Sequence, residues 1–64
     1  MNNRNFEVFY VVTRDGRRTS PVNYWTIDRA QRDANNLRAV LKKWGDADAK
    51  RIEIIRTSEP NSIY

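Results

Sequence analysis

Twelve lysine and arginine residues, with no histidine and no cysteine, define the chemistry open to this 64-residue chain. Histidine is the commonest general base and cysteine the most reactive nucleophile, so the usual routes to catalysis are missing. The hydroxyls of Ser20, Ser58 and Ser62 have no evident base, and the carboxylates form no paired motif. The sequence therefore predicts a protein that is not an enzyme and that uses no metal, cofactor or small-molecule substrate.

Six basic side chains form two groups that are suited to an acidic partner. Guanidinium and ammonium groups recognise carboxylates and phosphates. The net charge of +4 favours the same kind of partner, either nucleic acid or an acidic protein surface, although it also serves solubility alone. The first group, at a predicted hairpin tip, is Arg14, Arg17 and Arg18. The second group, along one flank of a predicted helix beside Asn36, is Arg29, Arg32 and Lys43.

Two strands must present the first basic group. Residues Phe6 to Thr13 are rich in β-branched and aromatic side chains, which favours a strand. The pair Asp15-Gly16 predicts a two-residue hairpin of type I′. Residues Arg17 to Trp25 then return as a second strand, and Pro21 places that strand at a sheet edge because proline cannot donate a ladder hydrogen bond.

One amphipathic helix must present the second group. Thr26 is suited to cap its start, Lys42 and Lys43 suit its carboxyl end, and Gly45 suits the left-handed position beyond it. Residues Arg51 to Thr57 follow as a third strand. The apolar stripe of the helix repeats at helical spacing: Ala30, Ala34, Leu37, Leu41 and Trp44.

These elements predict one α+β domain over residues 1–64 with the order β-β-α-β. The hairpin makes the first two strands antiparallel, and a right-handed crossover returns the third strand to the free side of the first. The fold is then a three-stranded antiparallel sheet of order 2-1-3 with one helix packed on one face. Residues 1–5 and 58–64 are expected to be flexible tails, and both Trp25 and Trp44 are expected to close the core.

The first strand is apolar on both faces, which is the most informative pattern in the chain. Regular pairing outward from the hairpin assigns Phe6, Val8, Tyr10, Val12 and Trp25 to the helix side, together with Ile52 and Ile54. The opposite face then exposes an apolar patch, and such patches mark interaction sites. Two alternatives are that the tail with Ile63 and Tyr64 covers this face, or that the register slips. The predicted protein interface is Phe9, Val11, Val22, Tyr24 and Ile55.

The leading interpretation is a small non-enzymatic binding module that joins a protein partner or a second copy of itself through this face. The alternative is a nucleic-acid-binding protein that uses the six basic residues. In length and element order the chain is similar to small phage-encoded proteins that bind and inhibit host machinery, among them a short inhibitor of bacterial RNA polymerase. That likeness is one of topology without shared diagnostic residues, and it implies an accessory protein. The absence of cysteine and of a long apolar run favours the cytoplasm and no membrane partner.

Overall fold

The computed structural model describes residues 7–45 and 51–64. The sheet has the order β2-β1-β3, both pairings are antiparallel, and the helix packs on one face, so the predicted fold is confirmed. The elements are strand β1 (Phe9–Arg14), strand β2 (Arg17–Arg18), helix α1 (Ile27–Lys43), strand β3 (Ile52–Thr57) and a 3₁₀ turn (Pro60–Ser62).

The turn between β1 and β2 is the predicted two-residue hairpin. Asp15 has φ 54° and Gly16 has φ 81°, and a type I′ turn requires positive φ at both positions. Glycine adopts this conformation without a Cβ clash, and aspartate is among the few other residues that tolerate it. Arg14 therefore lies opposite Arg17, which fixes the register at the start of β2.

Strand β2 is much shorter than predicted, because regular pairing stops soon after it begins. The Thr19 N–H still donates to the Val12 carbonyl at 3.0 Å, and pairing resumes at two hydrogen bonds of 2.8 and 2.9 Å between Tyr10 and Tyr24. Between these points Val11 alone faces the four residues 20–23 of the returning chain. A regular ladder would place only one residue opposite Val11. Three extra residues are an odd number, so the loop reverses which face each later side chain joins.

The position of Pro21 inside this loop explains where the pairing breaks. Proline offers no N–H to a ladder, so a loop holds it at no hydrogen-bonding cost. The Val22 N–H instead donates a local hydrogen bond to the Ser20 hydroxyl oxygen at 3.3 Å. The prediction of one continuous second strand over residues 17–25 was therefore wrong, and the face assignments that followed from it are corrected below.

Helix α1 begins and ends as predicted. The Thr26 side chain accepts a hydrogen bond from the Arg29 N–H at 3.3 Å, which satisfies one unpaired donor of the first turn. At the carboxyl end Gly45 has φ 75°, and its N–H donates to the Lys42 carbonyl at 2.9 Å. Within the described residues, no helix is both long enough and apolar enough to cross a membrane.

The core lies between α1 and the helix-facing side of β1 and β3. The sheet side chains that pair here are Val12 with Ile54 and Tyr10 with Arg56, and Ala30 and Ala34 let the helix approach closely. Phe6, assigned to this side from sequence, lies outside the described residues. Four buried residues form the core cluster, and five half-buried ones pack around it: Val12, Ala30, Ala34 and Ile52; Tyr10, Tyr24, Leu37, Leu41 and Ile54.

Residues 58–64, here called the C-terminal segment, pack against the protein instead of extending as the predicted flexible tail. Pro60 is buried, and the 3₁₀ turn that it begins contacts β1. The Asn23 amide donates to the Asn61 side-chain oxygen at 3.3 Å, which ties the segment to the loop before the helix. The other predicted tail, residues 1–5, lies outside the described residues.

Candidate functional site

The sheet face opposite the helix is only partly open. Val11 has 0% of its surface exposed, so it is not on an exposed face as the sequence suggested. Neighbouring Thr13 is equally buried, and its hydroxyl donates to the Glu53 carbonyl at 3.2 Å. The C-terminal segment packs here, in agreement with the alternative that this segment covers the face. The prediction that Val11 lies on an exposed interface was wrong for that reason.

Tyr24 was also placed on the wrong face. It lies directly opposite Tyr10, and directly paired residues of an antiparallel sheet point to the same side. Tyr24 therefore joins the helix-side core, where it is half-buried. The odd number of residues in the loop before it is the cause. The prediction that Tyr24 belongs to an interface on the opposite face was therefore wrong.

Trp25 takes the opposite face from the predicted one. Its ring contacts that of Phe9, with centroids 4.6 Å apart and planes tilted by 50°. Some 65% of Trp25 is exposed, so the prediction that it closes the core was wrong. Ile55, paired with Val11, points to the same face and is half-buried. We call Phe9, Trp25 and Ile55 the Phe9–Trp25 patch.

Two further exposed apolar side chains lie apart from this patch. Val22, predicted at the interface, is 44% exposed in the loop that precedes Trp25. Trp44, predicted to close the core at the helix end, is 80% exposed and is the C-cap residue of α1. Helical spacing places it at the end of the apolar stripe, but that position lies beyond the sheet. The sequence signal that could have identified Trp44 as exposed is its place beside the helix-ending Gly45.

Arg18 is engaged inside the protein and does not extend from the hairpin tip. Its guanidinium donates to the carbonyls of Ile63 at 2.8 Å, Ser20 at 3.2 Å and Pro60, and its backbone N–H donates to the Tyr64 carbonyl at 2.7 Å. Arg18 pairs with Thr13 and so shares the face that the C-terminal segment covers. The predicted use of Arg18 for an acidic partner therefore conflicts with its position.

Arg14 and Arg17 remain together, but on the helix side of the sheet. They are direct cross-strand partners, and Arg14 also lies opposite Ile52 of the core. Arg17 is exposed. The hairpin alternates the three arginines between two faces, so the predicted three-arginine cluster is divided between them.

Two members of the second basic group, Arg29 and Arg32, lie on one flank of α1 beside Asn36, and Lys43 is the last residue of the helix. Arg29, Arg32 and Lys43 are exposed. Arg29 and Arg32 line an open cleft of about 410 Å³ together with Tyr24, Asp33 and two further polar residues, Asp28 and Asn36. Two carboxylates among the lining residues make this cleft mixed in charge.

Tyr24 and Asp33 form a polar contact at the inner edge of that cleft. Burial is the main reason that the pKa of the Tyr24 hydroxyl lies above its usual value of 10.0. The negative charge of Asp33 and a hydrogen bond from the hydroxyl to that carboxylate raise the pKa further. The raised pKa keeps the Tyr24 hydroxyl protonated to a higher pH than that of a free tyrosine, so it can donate to Asp33.

Three clefts adjoin along the flank of α1 that faces β2, and sequence reasoning did not anticipate them. The first is the cleft beside Tyr24. It shares Asp33 and Asn36 with a second cleft of about 280 Å³. The second shares Thr19 and Leu37 with a third of about 350 Å³, which reaches Arg14, Arg17 and Leu41. We call the whole depression the β2–α1 groove.

The described residues contain no group of three or more histidine, cysteine, aspartate or glutamate side chains that could hold a metal ion. No protein-family model matches the chain, and no curated protein and no solved structure has significant similarity to it.

Proposed function

We propose that this protein is a small non-enzymatic binding protein that contacts a protein partner through the Phe9–Trp25 patch. The observation that carries the proposal is the 65% exposure of a tryptophan whose ring rests on a second aromatic ring. Tryptophan dominates the energetics of protein interfaces, because one side chain removes a large apolar area from water. A large exposed apolar group of this kind is costly to leave in solvent.

The setting of Trp25 supports a role as an anchor. The ring contacts Phe9 on the sheet, and the next residue is Thr26, the cap of α1. Two regular elements therefore hold the side chain near one position. A side chain that is ordered before binding loses little conformational entropy on association, so more of its burial energy appears as affinity.

The patch alone is too small to form a stable interface. A tryptophan and a phenylalanine each bury roughly 150–250 Å² when they are completely covered. A stable interface buries about 800 Å² on each partner. The patch is therefore the centre of a larger contact that the partner must complete. We further propose that the protein acts in the cytoplasm as an accessory protein or an inhibitor of its partner.

The test compares two tryptophans with similar exposure at different places on the molecule. We expect Trp25→Ala to weaken partner binding by about 30-fold or more, as for an interface hot spot, because the anchor is lost. Trp44→Ala, which removes a ring that is 80% exposed at the end of α1, should leave binding unchanged. Quantitative capture of cytoplasmic proteins on the immobilised chain, followed by titration of the retained protein, measures both variants.

Circular dichroism of each variant separates loss of binding from loss of folding. A folded Trp25→Ala variant that retains the same proteins with unchanged affinity would contradict the proposal. Light scattering over a dilution series addresses the homodimer alternative. A stable dimer that Trp25→Ala dissociates would replace the foreign partner with a second copy of the chain.

A further inference from the structure

The β2–α1 groove has an apolar floor. Leu37 lines both its middle and its hairpin end, Leu41 lies at the hairpin end, and Val40 lines the middle. Leu37 and Leu41 are half-buried against the core, so their accessible parts are held in place. Val40 is exposed. A floor of this kind gains free energy when a ligand brings apolar side chains onto it.

The rim of the groove is basic at its hairpin end. Arg14 and Arg17 line that end from the helix side of the hairpin, Arg18 adjoins them from the opposite face, and no acidic side chain is among the lining residues. Arg18 is bonded to the C-terminal segment, so Arg17 is the exposed cation that a ligand meets first. At the far end Arg29 and Arg32 stand beside the carboxylates of Asp28 and Asp33. The charge therefore changes from basic to mixed along the groove.

The length of the groove fits a short peptide. From Arg29 to Leu41 the helix rises about 18 Å at 1.5 Å for each residue. An extended chain covers that distance in roughly five or six residues. Alternate side chains of an extended segment point to opposite sides, so one set reaches the floor while the other reaches the rim.

We propose that the β2–α1 groove binds an extended acidic segment of a protein partner, in which carboxylate side chains alternate with apolar ones. The apolar side chains pack on Leu37 and Leu41, and a carboxylate pairs with the Arg17 guanidinium at the hairpin end. This inference deepens the proposed protein-binding function. It is tested separately, because Trp25 lies on the other face of the sheet.

Peptide fits this groove better than single-stranded nucleic acid does. A nucleic-acid strand carries a phosphate at every nucleotide, including those beside Asp28 and Asp33, where like charges repel, whereas a peptide can carry its carboxylates at the hairpin end alone. Bases also require exposed aromatic faces for stacking, whereas the floor at the hairpin end is aliphatic. A mixed acidic and apolar peptide matches both the floor and the change of charge along the rim.

The test titrates the full chain with a synthetic acetylated peptide of sequence Glu-Leu-Glu-Leu-Ser-Leu, which is acidic at one end only, and follows backbone amide signals by NMR. We expect shifts at Thr19, Leu37 and Leu41. The variant Arg17→Ala should weaken binding by about fivefold, which corresponds to roughly 1 kcal/mol for one exposed charge-assisted contact. The matched control Arg56→Ala removes an exposed arginine from β3 at the other edge of the sheet and should leave the affinity unchanged.

Several outcomes would overturn the inference. One is the absence of shifts in the groove, and another is equal affinity for the peptide in which lysine replaces each glutamate. Tighter binding of an oligothymidylate in the same groove, with a steep dependence on salt, would assign the surface to nucleic acid instead. Shifts confined to Phe9 and Trp25 would leave the proposed function intact and remove this second surface.

Discussion

Arg18 and Arg17 are adjacent in sequence and have opposite roles in the structure. The guanidinium of Arg18 donates to three backbone carbonyls, two of which belong to the C-terminal segment. Hydrogen bonds from a charged donor are stronger than neutral ones. Arg17 points to the other face of the hairpin and is exposed. Sequence reasoning gave both the same role, because nothing in the sequence indicated which arginine faces a carbonyl-rich segment.

Replacing Arg18 should destabilise the fold. We expect Arg18→Met to lower the free energy of unfolding by about 2 kcal/mol, since it removes the charge-assisted bonds and leaves carbonyls of Pro60 and Ile63 without this donor. Methionine keeps much of the apolar length of the side chain. Urea denaturation followed by circular dichroism measures the change. The neighbouring control Arg17→Met should stay within about 0.5 kcal/mol of the parent, and equal losses in both variants would refute the distinction.

The raised pKa of Tyr24 should make the folded protein lose stability at alkaline pH. Its pKa is raised in the folded state by burial first and by Asp33 second, so folding favours the protonated hydroxyl. The stabilisation is complete below the unfolded pKa near 10 and is lost as the pH rises through the higher folded pKa. Between about pH 9 and about pH 11 the parent should therefore lose more stability than Tyr24→Phe does.

Urea denaturation at both pH values provides this comparison. All other ionisable groups are common to both proteins, so their contributions to the difference cancel. Tyr64→Phe is the matched control, because Tyr64 is 90% exposed and its removal should not alter the pH dependence. If Tyr24→Phe and the parent lost the same stability over this range, the hydroxyl would have no preferred protonation state on folding.

Among the elements, the helix and the hairpin turn followed the sequence closely, whereas the return strand did not. Thr26, Asp15 and Gly45 each act through a local conformational preference, and local preferences can be deduced from sequence. The loop at residues 20–23 depends on where pairing resumes, and that depends on the packing of Tyr24 under the helix. Tertiary packing of this kind has no local sequence signal apart from Pro21.

Shortening this loop should preserve the pairing of Tyr24 with Tyr10 when the right number of residues is removed. Deletion of Ser20, Pro21 and Val22 leaves one residue between Thr19 and Tyr24, which is the number that a regular ladder requires. Tyr24 then keeps its place opposite Tyr10 with the same parity. We expect this variant to fold with the same helix. NMR spectra should still show the cross-strand contacts between Tyr10 and Tyr24.

The control for this prediction is a deletion of only Ser20 and Pro21. It leaves two residues opposite Val11, one more than a regular ladder holds, so Tyr24 can keep its place opposite Tyr10 only through a β-bulge. The two-residue deletion should therefore be less stable than the three-residue deletion by about 1–3 kcal/mol, in the range of disrupted core packing. Thermal unfolding of the two deletion variants provides the measurement. The reverse order of stability would show that regular pairing opposite Val11 does not stabilise this hairpin.

At the scale of the whole molecule, the protein has two unlike surfaces on opposite sides of one sheet. The Phe9–Trp25 patch is apolar, and the β2–α1 groove is apolar at its floor and basic at one end. The sequence indicated that β1 is apolar on both sides and that arginines gather at the hairpin. It did not indicate that residues 58–64 cover Val11, because a short polar segment with one proline resembles an ordinary tail.

The covering of the sheet by the C-terminal segment also affects how the chain folds. Thr13 and Glu53 are joined across 40 residues, and Arg18 reaches a carbonyl 45 residues away. Closing such long loops costs conformational entropy before any contact is gained, so folding is slower than for proteins with local contacts. During synthesis β1 lacks its neighbour β3 until residues 52–57 have emerged, and it lacks its cover until residues 58–64 have followed. Until then Val11 is open to chaperones and proteases, and the hairpin and helix must persist without half of their sheet.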